Sequence, residues 1–374
     1  MIYLDNAATT LIKPAAVGRA MLHAMNTCAS PGRGGHRPAM GAAEIVYKCR
    51  ERAASLFHVR DPEQVVFTMN ATHALNIAIR SLTAPGMRVL VSGYEHNAVT
   101  RPLTAIGADI REAESPLFDP AACIRAFRER IDEADLVVCT MVSNVFGFIL
   151  PIREIAELCR EKNVPLIVDA SQAAGILEVI FEDLGAAFVA MPGHKGLFGP
   201  QGTGLLLCSE SGMPLICGGS GSDSIRQMMP EFLPDRLEAG THNVPGIAGL
   251  LAGLEYVSEV GLASIREHEQ KLLRQTVETL SEVEEIELFN GTEGTQTGVL
   301  SVRIRGVDCE EAARQLAGRG ICVRSGLHCA PFAHRSAGTL ETGTIRLSFS
   351  PFVYEEELEI CCRALRELSR ICRS

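Results

Sequence analysis

From about residue 60 to residue 210, short apolar runs alternate with amphipathic stretches. The rhythm predicts strands at Gln64–Thr68, Met87–Ser92, Asp135–Met141, Pro165–Val168, Ala187–Met191 and Thr203–Cys208. Helical periodicity lies between them, for example at Ala74–Leu82, Pro120–Ile131 and Ile152–Glu161. The strand runs are almost continuously hydrophobic, as strands covered on both faces must be. That predicts an α/β layer with a mostly parallel sheet, on which ligands bind beyond the carboxyl ends of the strands. After Glu238 two helical stretches, Pro245–Val260 and Ala263–Val283, read as a connector. Strand-like Gly298–Ile304, helical Cys309–Ala317, strand-like Ile321–Val323 and Thr344–Phe349, and a final helix Glu355–Cys372 then predict a smaller α+β domain. No internal repeat interrupts the chain.

Composition narrows the function. The 374 residues suit one large domain plus a smaller one, and 47% hydrophobic residues are enough for a substantial core. With no Trp, that core leans on Leu, Val, Ile and Ala. A formal net charge of −10 without a Lys/Arg cluster repels phosphate backbones, so nucleic-acid binding is not expected. The start MIYLDNAATT lacks the basic region and apolar run of a signal peptide, and no stretch reaches the length of a membrane span. Thirteen cysteines, an odd number with no CxxC pair, argue against a disulfide framework or a zinc site. A reducing cytoplasm and no metal are expected. Cys139 and Cys208 sit in apolar runs and read as small buried hydrophobes.

The strand ends carry the candidate chemistry. Asn70-Ala71-Thr72-His73 leads into a helix, whose first N–H groups and the Thr72 hydroxyl suit an anion, or simply a helix cap. Glu95-His96-Asn97 follows the next strand. Asp169 ends another, where an unpaired carboxylate is costly and wants a cation or a capping role. Lys195 lies in the turn Pro192-Gly193-His194-Lys195-Gly196, where restricted solvation can lower an amine pKa and favour Schiff-base chemistry, the alternative being an unrelated surface turn. An anion-binding turn, an aromatic ring, a strand-end Asp and a glycine-flanked Lys, in this order, match the needs of pyridoxal 5′-phosphate (PLP).

The chain resembles the class V, fold-type I PLP enzymes over essentially its whole length, from Tyr3-Leu4-Asp5-Asn6-Ala7-Ala8-Thr9-Thr10 to the C-terminal helix. Within them it is similar to the cysteine desulfurase and selenocysteine lyase group. The resemblance implies a large domain over residues 15–260 with a seven-stranded type of sheet, and a small domain of residues 1–14 and 261–374. It implies that Lys195 holds the PLP aldehyde, Asp169 pairs with the pyridinium, Gln172 meets the phenolic oxygen and His96 stacks on the ring. Ala71, Thr72 and His194 would hold the phosphate. Thr241 would reach the phosphate of a neighbouring subunit, which implies a homodimer.

The segment Arg324-Ser325-Gly326-Leu327-His328-Cys329-Ala330-Pro331 is similar to the active-cysteine loop of SUF-type (group II) desulfurases. Arg324 would clamp the substrate carboxylate, with Arg346 as second candidate and Asn144 nearby. Cys329 would be the sulfur nucleophile, its thiolate favoured by a neighbouring imidazolium at His328. Three positions depart from the group: Pro192 replaces a phosphate-binding serine, Leu327-His328 replaces a doubled histidine, and His242 replaces a proline. The implied reaction converts L-cysteine to L-alanine and leaves a persulfide on Cys329, with a sulfur- or selenium-acceptor protein as a possible partner. The alternatives are a selenocysteine lyase, or another class V lyase or aminotransferase in which Cys329 is incidental.

Overall fold

A computed structural model describes residues 1–32 and 34–371. Its centre is a seven-stranded sheet in the order Val65–Thr68, Gly204–Cys208, Phe188–Pro192, Leu166–Asp169, Leu136–Thr140, Arg88–Ser92, Asp109–Ala113. Gly204–Cys208 pairs antiparallel with the strands on both its sides, and the remaining pairings are parallel. Its five residues, like those of Leu136–Thr140 and Phe188–Pro192, are all buried. The two faces belong to separate apolar clusters, one around Val137, Val168 and Val189, the other around Val138, Ile167 and Phe188. Six strands fall within a residue of their expected positions. The seventh, Asp109–Ala113, was not expected, because DIREA is polar and only its last residue is buried.

The expected parallel α/β layer and the fold-type I architecture are therefore present. Helices form where local chemistry permits. Asn70 caps Ala71–Leu82 by accepting from His73 N at 2.9 Å. Asp119 caps Pro120–Arg130 from a position just before a helix-starting proline. Two N-terminal helices that the pattern did not announce, Ala15–Thr27 and Arg37–Leu56, pack on Val244–Val260.

The remaining chain forms a four-stranded antiparallel sheet, in the order Arg324–Gly326, Thr344–Ser348, Val299–Ile304, Ile286–Phe289. It has its own apolar cluster, including Leu272, Leu300, Leu347 and Leu365. Ile2–Tyr3 pairs in parallel with Ile321–Cys322, so the first residues of the chain join this part. The last helix is Glu355–Ile371; Cys372, expected at its end, lies outside the described residues. Among the described residues no single helix is long and apolar enough to cross a membrane.

Two close approaches fix the turn that carries Lys195. A Cβ on Gly253 would sit 2.2 Å from Leu197 O, so the helix Val244–Val260 rests directly on that turn. Gly175, at φ +87°, and Gly196 touch backbone to backbone, and a Cβ on Gly175 would meet Gly196 O at 2.0 Å.

Candidate active site

The carboxyl ends of the parallel strands open into a cavity of about 270 Å³. Ala71, Thr72, His96, Asn144, Asp169, Gln172, His194, Lys195, Arg324, Cys329 and Arg346 all line it. Every residue expected at the site is thus brought together except Thr241. That residue is exposed and lines a separate cavity of about 210 Å³ with Phe67, Glu238 and His242.

Lys195 is half-buried, its open surface being the cavity it lines. Removal from water pushes its amine down to about 8, and the charge of Asp169 only partly opposes this. Asp169 is 2% exposed, and its Oδ1 accepts from Ser171 N at 2.9 Å. His96 caps the helix Asn97–Ile106: its Nδ1 accepts from Ala98 N at 3.0 Å. The ring proton therefore sits on Nε2, and burial pushes the imidazole down to about 4, leaving it neutral. His194 is pushed down to about 4 by burial, then by Lys195 and Lys13, and its Nδ1 is buried without a partner. An orphaned nitrogen of this kind asks for a ligand atom. Ala71 and Thr72 begin a helix whose first N–H groups have no partner within it. The cavity wall on this side suits an anion. Gln172 gives one amide hydrogen to Ala7 O at 3.0 Å and keeps a second. Pro192 ends its strand at the cavity and has no N–H to donate.

The opposite wall belongs to the small sheet. Arg346 is 1% exposed; its Nη2 meets Asp5 Oδ1 at 2.7 Å and its Nη1 meets Asn144 O at 2.8 Å. Its Nε and Asn144 Oδ1 are buried without partners. Arg324 has no carboxylate against it among the described residues, and its Nη2 lies 4.0 Å from Cys329 Sγ. Cys329 is exposed, whereas burial raises the thiols of Cys139 and Cys208 far out of the reactive range. Both His328 and Cys329 are left-handed, at φ 51° and 57°, a conformation that non-glycine residues adopt only when their surroundings impose it.

One expectation is corrected here. His328 is 4% exposed and pushed down to about 2 by burial, then by Arg346 and His334. It is a buried, neutral ring at the cavity wall, so no imidazolium at His328 assists Cys329. The cation beside the thiol is Arg324.

Comparison with known proteins fits this geometry. The aminotransferase class-V family matches residues 2–360. The chain belongs to that family. It is 33% identical to a probable cysteine desulfurase of Methanothermobacter thermautotrophicus, over 98% of this class-V chain and 94% of that protein. Among solved structures it is similar to the cysteine desulfurase of Thermococcus onnurineus, with a TM-score of 0.90 and 31% identity over 99% and 94% of the two chains. A cysteine desulfurase from Escherichia coli superposes with a TM-score of 0.87 at 25% identity, over 99% and 94% of the chains. The family is one of PLP-dependent enzymes.

Several site-building residues were not singled out by sequence. Asp5 holds Arg346. Glu95, fully buried and pushed up to about 8 by burial, accepts from Ser92 Oγ and from Thr140 N. Glu238 is chelated by Arg50 at 2.9 and 2.8 Å and by His242 at 2.6 Å, which anchors the segment leading to Thr241. Glu269 lies buried behind Lys195, in a small cavity that both residues line.

Proposed function

We propose that the protein is a PLP-dependent cysteine desulfurase, converting L-cysteine to L-alanine and capturing the sulfur on Cys329. The observation that carries this reading is the meeting, in one cavity, of Lys195 and Asp169 from the large sheet with Arg324 and Cys329 from the small one.

The residues present fit the cofactor. The orphaned Nδ1 of His194, with Ala71 and Thr72 at a helix start, suits the phosphate. Asp169 suits the pyridinium nitrogen, Gln172 the phenolic oxygen, and the flat neutral ring of His96 suits stacking. When bound, PLP would act as the electron sink for charge developing at the substrate Cα. Lys195, with its amine near neutrality, would hold the cofactor aldehyde and later take the Cα proton on Nζ. His96 would present its Nε2–H as a donor. Arg324 would take the substrate carboxylate on its uncommitted guanidinium, with Arg346 and Asn144 shaping the far wall.

Cys329 would attack the substrate sulfur as thiolate. A new S–S bond forms, the Cβ–S bond breaks with its electrons left on the carbon skeleton, and reprotonation there yields alanine. Residues 15–260 would act as the cofactor-binding domain, and residues 1–14 with 261–374 as the domain that brings the cysteine loop. The exposed Thr241, held by the Arg50–Glu238–His242 cluster outside its own cavity, supports a homodimer in which it reaches the partner's phosphate site.

Borohydride reduction and peptide mapping of protein loaded with PLP should mark Lys195, and Lys195→Ala should abolish the label. Trapping at another lysine would refute the assignment.

A further inference from the structure

Two histidines, His328 on the cysteine loop at the cavity wall and His334 on the short helix after it, take no part in the chemistry above. The rings of His328 and His334 stack with centroids 5.5 Å apart and planes 10° apart. Both are buried, at 4% and 0% exposure. With both rings neutral, their hydrogen bonds set one arrangement of protons.

His328 Nε2 lies 3.3 Å from Arg324 O. A carbonyl can only accept, so Nε2 bears the proton and Nδ1 is a lone pair. That Nδ1 lies 3.3 Å from His334 Nε2, which must therefore be the N–H donor. With both rings neutral, His334 Nδ1 is then an acceptor, and the Thr339 hydroxyl donates to it at 2.8 Å, with His334 O, at the longer 3.4 Å, as its other acceptor. The bonds run one way, from Thr339 through His334 and His328 to Arg324 O. Such a chain requires both rings neutral, and burial keeps them so, pushing His334 down to about 4 and His328 to about 2.

The chain ends where positioning matters. Arg324 is the residue whose guanidinium lies 4.0 Å from Cys329 Sγ. His328 and Cys329 hold consecutive left-handed conformations, which non-glycine residues keep only where neighbours enforce them. The neighbours are identifiable: Asn144 Nδ2 donates to His328 O at 2.8 Å, Asn97 N donates to Cys329 O at 2.7 Å, and the ring of His328 is held by the chain just described and by its stacking on His334.

We propose that His334 is a positioning residue: with its tautomer set by Thr339, it locks His328 and thereby the turn that presents Cys329 and Arg324 to the cavity. The catalytic meaning of this lock rests on the desulfurase reading, while the proton arrangement itself does not.

The test uses the full-length holoenzyme and two pairs of variants. His334→Phe keeps a ring to stack but has no donor, whereas His334→Gln returns an N–H near the Nε2 position. Thr339→Val removes the hydroxyl that sets the tautomer, whereas Thr339→Ser restores it. His334→Phe and Thr339→Val should each lower kcat for L-cysteine by about tenfold, the worth of one positioning hydrogen bond, with KM little changed. His334→Gln and Thr339→Ser should recover most of the loss.

Nitrogen NMR of labelled imidazoles in the wild type should show both rings neutral and protonated on Nε2 at pH 6 to 8. Should His334→Phe fail to fold, the Thr339 pair decides. Wild-type kcat in Thr339→Val, a Thr339→Ser variant no better than Thr339→Val, or a ring protonated on Nδ1 would each overturn the proposal. Absence of alanine release in the wild type would instead refute the desulfurase reading, and the NMR result would still judge the lock.

Discussion

The backbone N–H of Asn97 donates to the carbonyl of Cys329 at 2.7 Å, although 232 positions separate them in the chain (329 − 97). Asn97 is the first residue of its helix and follows His96 directly. One hydrogen bond thus ties the ring expected over the cofactor to the loop expected to carry the nucleophile. It also joins the large sheet's loops to the loop beside the small sheet at the point where chemistry is proposed.

That bond can be removed without disturbing the helix. Proline is well tolerated at the first helical position, and His96, at φ −78° and ψ 155°, already has a backbone compatible with a following proline. Asn97→Pro should change the melting temperature little, yet lower kcat for L-cysteine by about tenfold, through loss of one oriented hydrogen bond. An unchanged kcat would show that the loop holds itself without this anchor.

Asp169 offers a test of the electron-sink argument. Asp169→Asn keeps the shape and the ability to accept from Ser171 N, but loses the charge. Cofactor should wash out more readily during dialysis, and exchange of the substrate Cα proton, followed by NMR in heavy water, should fall about a hundredfold or more. Exchange at the wild-type rate would contradict the role assigned to this carboxylate.

Glu269 makes a prediction about pH and stability. It is 4% exposed, and burial alone pushes it up from its ordinary value near 4.5 to about 8. The folded protein therefore holds a proton that the unfolded chain releases above about 4.5. Stability from this group is complete below that value and is lost as pH rises through about 8, a cost on the order of 5 kcal/mol at alkaline pH. Glu269→Gln, which cannot ionise, should melt at a higher temperature than wild type at pH 9, and the difference should shrink toward pH 5. Parallel melting curves at all pH values would mean that the carboxyl stays charged in the folded state.

How far the chain could be read beforehand follows from where each residue's partners lie. Strands such as Leu136–Thr140 and Phe188–Pro192 are buried on both faces, so their signal is a plain apolar run. Asp109–Ala113 pairs only with Arg88–Ser92 at the sheet edge, where polar residues are allowed, and its signal vanishes. Asp169 ends a strand, and Lys195 and His96 stand in the turns that follow two others, where local context already speaks of ligands. Asp5 and His334 act through partners that only folding supplies. Asp5 meets Arg346 across the whole chain, and the neutrality of His328 depends on burial that no neighbouring residue announces. The expectation of an imidazolium beside Cys329 failed for that reason: of two residues adjacent in sequence, folding buries one and leaves the other exposed.

The central claim is that Cys329 removes sulfur from cysteine. Its exposure, its place in the cavity wall and the cation of Arg324 at 4.0 Å suit a thiolate that attacks sulfur rather than carbon. Selenium departs more easily than sulfur, so the two substrates separate attack by Cys329 from chemistry at Cα. The decisive measurement is alanine release from L-cysteine and from L-selenocysteine, wild type against Cys329→Ala, with intact-mass detection of sulfur added to the protein. Wild type should release alanine from cysteine and gain sulfur on Cys329. Cys329→Ala should still bind cysteine, gain no sulfur and release little alanine, while keeping part of its selenocysteine turnover. Alanine release from cysteine at the wild-type rate in Cys329→Ala would contradict the account and leave Cys329 as a bystander to a different class V lyase.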